Sequence, residues 1–127
     1  MEEDNVHEQM ALLAREFDAC RGAFTAMGDE NRQRILVALL ENHGGMRVGE
    51  MTAHTNLSRP AVSHHLKVLK DAGIVNMFKQ GTKHFYHVDA NEGQWEQIAS
   101  LVTHIYGLVK EVSAKRQAGE GCCNNTR

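Results

Sequence analysis

The chain has 127 residues, 42% of them hydrophobic and 24% charged, with a net charge of −2. That suits one folded domain with a real core, and it argues against both a disordered polymer and a multidomain protein. Its longest apolar runs, such as Ile35 to Leu40, are far too short to span a bilayer, and the acidic start MEEDNVHEQ is unlike a signal peptide. No membrane partner and a cytoplasmic location are therefore expected. Three cysteines, an odd number, fit a reducing compartment.

In chain order, the first segment places Val6, Met10, Leu13, Phe17, Cys20, Phe24 and Met27 at alternating steps of four and three. This is a narrow helical stripe of heptad type, ending at Gly28. Asp29 can cap a second helix with Ile35, Leu36, Leu39 and Leu40 inward and Arg32 and Arg34 outward; Asn42-His43-Gly44-Gly45 stops it. Met46-Arg47-Val48 reads as a brief strand, and Val48 to His54 as a short helix with Met51 inward. After the turn Asn56-Leu57-Ser58, Ser58 caps a helix with Pro60 in its first turn and Gly73 at its end. Two helices joined by so short a turn read as helix-turn-helix.

Residues 74–88 then form a β-hairpin with Lys79, Gln80, Gly81, Thr82 and Lys83 at its tip. Asp89-Ala90-Asn91 is expected to cap a last helix with Trp95, Ile98, Val102, Ile105, Val109 and Val112 on one stripe. The fold class is mainly α with a small β-hairpin, a winged helix-turn-helix. Its domain spans 1–118, with the helix-turn-helix at 46–73, the wing at 74–88 and a flexible tail at 119–127. One domain of this size has no obvious place to bury both outer stripes. Regions 1–28 and 91–118 are therefore expected to dimerise, making a homodimer. The plainer reading is that both pack on their own domain.

Charge is distributed unevenly. Residues 1–30 carry two basic and eight acidic side chains, a net of −6; residues 58–90 carry five basic and two acidic, a net of +3. A local basic face meets phosphate whatever the total charge. At about 100° per residue, Val62, Leu66 and Leu69 cluster on one side of the fourth helix. Arg59, Ser63, Lys67 and Lys70 fall on the other. Residues near the start of a reader helix reach base edges, and lysines further along meet phosphate. Ser58, Arg59, Ser63 and His64 are the candidate groove readers, and Lys67 and Lys70 the candidate phosphate contacts. Lys79, Gln80, Thr82 and Lys83 are candidates for a wing lying along or in the minor groove. His64 and His65 point about 100° apart, so they cannot easily clamp one metal ion. His65 falls toward the buried flank, as a hydrogen-bonded support.

The stretches GDENRQRIL, LSRPAVSHHLKVLKDAGIV and GTKHFYHV resemble the ArsR/SmtB family of dimeric winged-helix repressors. The resemblance covers about residues 24 to 110. It implies operator DNA as the partner, a homodimer, and release by an inducer. The metal-sensing patterns of the family do not carry over. Its Cys-x-Cys run falls on MRVGEM, and its Asp-x-His and His-x-x-Glu spacings around His104 fall on Asn91, Gly93 and Gly107. No metal ligand set and no cofactor is expected.

Sulfur chemistry is the remaining sensing candidate. Cys20 is expected at the dimer seam, and Cys122-Cys123 form a vicinal pair that can capture arsenite or a soft cation, or be oxidised. The plainer readings are a small buried hydrophobe for Cys20 and incidental tail cysteines for the pair. His104 is expected to be partly buried packing. With no phosphate loop, nucleophile elbow or spaced carboxylate pair, an enzyme is not expected. The alternative is a winged helix used only for protein–protein contact.

Overall fold

The computed structural model of the chain describes residues 2–119. Five helices and one hairpin follow in order: α1 (Glu2–Met27), α2 (Glu30–Glu41), α3 (Val48–Thr55), α4 (Arg59–Asp71), β1 (Asn76–Gln80), β2 (Lys83–His87) and α5 (Trp95–Gln117). Local chemistry explains most of the boundaries. The Asp29 carboxylate accepts the Arg32 backbone N–H at 3.0 Å, satisfying one free donor at the start of α2. Asn56 ends α3 in a left-handed conformation (φ 58°), which its short polar side chain tolerates. Two residues later the Ser58 hydroxyl accepts the Ala61 N–H at 3.3 Å and opens α4, with Pro60 in the first turn.

The core draws on every helix. Ile35, Ala38 and Leu39 of α2, Met51 of α3, and Val62, Leu66 and Leu69 of α4 are buried with Met46, Ile74 and Val75. Cys20, Ala23 and Ala26 of α1 and Ile98 and Leu101 of α5 close it from the other side. The expected strand at Met46 is a single bridge: Met46 and Tyr86 exchange backbone hydrogen bonds at 2.9 and 2.8 Å. The wing is antiparallel with Gln80 opposite Lys83, and Gly81 (φ 66°) turns its tip. Phe78 stacks on Phe85 at 5.4 Å beside Gly45 (φ 101°), where a Cβ would lie 3.3 Å from the Phe78 ring and 3.3 Å from Phe85 Cβ.

Four local expectations need correction. Leu40 is 63% exposed, because the buried arc of α2 is centred on Ile35 and Leu39 and Ala38 fills the place assigned to it. The α1 stripe splits: Cys20 is buried and Leu13 and Met27 pack on the core, whereas Val6, Met10, Phe17 and Phe24 remain exposed. The α5 stripe splits likewise, with Ile98 and Leu101 inside and Val102, Val109 and Val112 outside. Last, α5 starts at Trp95 rather than beside Asp89, whose carboxylate instead accepts the Asn91 N–H at 2.9 Å in a local turn.

What delays α5 is a close crossing with the end of α4. Gln94 N–H donates to the Gly73 carbonyl at 2.9 Å, and the Trp95 indole N–H to the Ile74 carbonyl at 3.0 Å. Gly93 has φ 76°, and a Cβ there would lie 2.2 Å from the Gly73 oxygen. Gly22, by contrast, sits within α1, where a Cβ would meet nothing within 4 Å. Gly93→Ala should therefore lower stability by about 2 kcal/mol, from strain and clash together. Gly22→Ala should raise it by about 0.5–1 kcal/mol through helix propensity alone. Urea unfolding of both variants checks the opposite signs.

Candidate nucleic-acid interface

The rotation of α4 follows from its buried seam. Val62, Leu66 and Leu69 have no solvent exposure, which turns Ser58, Arg59, Ser63, His64, Lys67 and Lys70 outward; all six are exposed. Lys79, Gln80, Thr82 and Lys83 are exposed on the wing. All ten candidate readers are thus presented to solvent from two places, α4 with its N-cap and the tip of the β1–β2 hairpin.

Two of them are engaged in the free protein. The Arg59 guanidinium folds back over Gly49 at the start of α3, so close that a Cβ there would lie 3.2 Å from Nη1. Lys67 Nζ pairs with the Asp71 carboxylate at 3.1 Å, one turn along the helix. Both partners are mostly exposed, and such a surface pair contributes about 0–1 kcal/mol, so a phosphate can displace it. Asp71 and Gly49 escape a reading of the sequence: the first counts only as a charge, and the second has no side chain to notice.

The two adjacent histidines divide as the helical wheel requires. His64 is exposed, while His65 is half-buried and its Nδ1 lies 3.3 Å from Arg32 Nη1. A guanidinium carries donors only, so a hydrogen bond here requires Nδ1 to be the acceptor. The sequence pattern predicts Arg32 on the wet side of α2. It is instead half-buried, with Nε donating to the Ala26 carbonyl at 2.6 Å. Its partner is 33 residues away, beyond the reach of any local pattern. The Arg32 N–H on the Asp29 carboxylate, foremost among several causes, holds that carboxyl below its ordinary range.

The sulfur candidates fare differently. Cys20 lies in the core of its own chain, not on an exposed seam, because the α1 stripe divides there. Burial pushes its thiol pKa up, and the Glu16 carboxylate adds to this. A raised pKa and no exposure leave little thiolate to react. Cys122 and Cys123 lie outside the described residues. His104 is not packed as expected. It is exposed and pairs through Nδ1 with the Glu16 carboxylate at 2.8 Å, joining α5 to α1. Among the described residues, no group of three or more His, Cys, Asp or Glu side chains is arranged to hold a metal ion. Nor, among them, is any helix long and apolar enough to cross a membrane.

Comparison with known proteins bears directly on this surface. The model of the family described as "Bacterial regulatory protein, arsR family" matches residues 29–77, from the α2 cap to the start of the wing. An HTH-type transcriptional regulator of Methanocaldococcus jannaschii is 45% identical over 65 residues, covering 51% of this chain and 72% of that protein. The transcriptional repressor SdpR of Bacillus subtilis is 35% identical over 66 residues, covering 52% of this chain and 71% of that one. An ArsR-like transcriptional regulator from Rhodococcus sp. RHA1 has the same fold, with a TM-score of 0.66 at 22% identity over 84% of this chain and 97% of that structure. These relatives favour a DNA-binding regulator over a module used only for protein contact. The chain belongs to the arsR family of bacterial regulatory proteins and is a DNA-binding transcriptional regulator with a winged helix-turn-helix fold.

Proposed function

We propose that the protein is a homodimeric repressor acting in the cytoplasm, with α4 as its base reader and the wing as a second DNA contact. The observation that carries this is the outward face of α4 set on a fully buried seam. Ser58, Arg59, Ser63 and His64 face base edges, and Lys67 and Lys70 face phosphate; Lys79, Gln80, Thr82 and Lys83 lie along the minor groove. Repression is carried over from the name of the Bacillus relative. Binding, not turnover, is the activity, and residues 1–118 act as one domain.

Dimerisation is supported by what α1 and α5 leave uncovered. The two helices pack together within one chain, yet Val6, Met10, Phe17 and Phe24 of α1 and Val102, Val109 and Val112 of α5 remain exposed. Apolar side chains in such density on two adjoining helices mark a surface that a second copy covers. Two copies then offer two reader helices to successive major grooves of a roughly palindromic operator. An inducer releases the DNA by favouring a dimer geometry that no longer matches that spacing.

Selection from a random duplex library tests the reading. A short palindromic sequence should be enriched; enrichment of nothing would sink it. Against the selected duplex, Arg59→Ala should relax base discrimination by about 1–3 kcal/mol. Lys67→Ala should weaken binding to every sequence and reduce the salt slope by about 1 per subunit, about 2 for the dimer, and Asp71→Asn should tighten binding to every sequence, because Lys67 is then free. Phe17→Glu should yield monomers by sedimentation; a dimer that persists would remove α1 from the interface.

A further inference from the structure

Three helices meet at one side chain beneath the reader. Arg32, in the first turn of α2, sends Nε to the Ala26 carbonyl of α1 at 2.6 Å and Nη1 to His65 Nδ1 of α4 at 3.3 Å. Its own backbone N–H is held by Asp29 at 3.0 Å, so the fork starts from an anchored Cα. Ala26 lies in the last turn of α1, where carbonyls have no partner within the helix. His65 lies on the flank of α4 between the buried seam and the exposed face, next to His64.

We propose that Arg32 is a positioning residue: through His65 it sets the roll of α4 relative to the end of α1, and so the match of the reader face to DNA. The proposal rests on the DNA-reading dimer proposed above. A guanidinium presents its donors at fixed angles, so holding two acceptors on different helices fixes the helices to each other. The bond needs a bare Nδ1, which only the neutral Nε2–H form of His65 supplies. The buried seam alone keeps α4 in its groove but resists small rolls weakly, because apolar contact is non-directional. A reader that rolls keeps its positive charges near phosphate and loses its register on the bases. The mark of this role is therefore a loss of selectivity, not of affinity for DNA in general.

The experiment uses the full chain and the duplex selected by the wild type, alongside a scrambled duplex of equal length and salt. Arg32→Lys, which keeps the charge but not the fork, and His65→Leu, which removes the acceptor, should each cut the ratio of the two affinities about tenfold, the effect of one charged hydrogen bond. Affinity for the scrambled duplex, dimer mass and melting temperature should stay close to wild type. His65→Asn places an oxygen near the lost Nδ1 and should restore most of the ratio. The double variant Arg32→Lys/His65→Leu should fall no further than either single one, since both break the same contact. An unchanged ratio in both single variants would overturn the proposal, as would parallel loss of both affinities together with melting temperature. Should Arg32→Lys fail to fold, the His65→Leu and His65→Asn pair decides alone, because it leaves Arg32 on Ala26. If the wild type selects no duplex, the DNA-reading proposal fails first and takes this one with it.

Discussion

Everything on the outward side of α4 depends on the burial of Val62, Leu66 and Leu69. Each fully buried aliphatic side chain contributes about 1.5–3 kcal/mol, far more than any single polar contact on the exposed face of α4. Rotating the helix by one residue would bring polar side chains into the core and expose the leucines. The seam thus excludes every orientation but one family of small rolls, and the outward set of Arg59, Ser63, His64, Lys67 and Lys70 follows from it. Hydrogen bonds then act within that family. The Arg32 fork on Ala26 and His65 is directional where the seam is not.

The outer helices show a different economy. The heptad pattern of α1 predicts one stripe serving one seam, but the stripe divides between the core and the surface. Leu13, Cys20 and Met27 turn to the core, while Val6, Met10, Phe17 and Phe24 face outward. A heptad stripe is about two side chains wide, so a helix pressed against its own domain on one edge still presents the other. The Glu16–His104 pair and the Ser100 hydroxyl on the same carboxylate bridge α1 and α5 beside that edge. Motion of either long helix therefore reaches the other through a polar contact as well as through packing.

Element existence and order were legible in the sequence because short-range chemistry dictates them. Asp29, Ser58 and Pro60 start helices, Gly81 turns a hairpin, and the helical period of α4 sorts its faces. The outward residues of the site followed from the same period. What stayed illegible involves partners far apart in the chain. Arg32 looked like a solvated arginine because His65 is 33 residues away, and His104 looked like packing because Glu16 is 88 away. The late start of α5 belongs with these: Asp89 is a fair cap, but the crossing of Gly73 and Gly93 claims the intervening residues. Leu40 failed for a simpler reason. An apolar run wider than the buried arc must leave one member outside, and the run itself does not say which.

That same crossing has a consequence for how the protein can change. The chain leaves the end of α4 at Gly73, runs out through the wing and returns to the same point, where Gln94 N–H meets the Gly73 oxygen. The wing strands and the turn after them form a loop whose two ends are fastened together. Lengthening a closed loop is entropically mild, about 0.6 kcal/mol for each doubling, and here it moves neither helix. At the exposed tip, residues 79–83 can be inserted, removed or recharged while α4 and α5 keep their places, whereas Ile74, Val75 and Tyr86 nearer the root are tied into the core. The hairpin tip is therefore free to change its length and charge, while the pair of glycines at its root, where a Cβ would lie 2.7 Å from Gln94 Cγ or 2.2 Å from the Gly73 oxygen, is not.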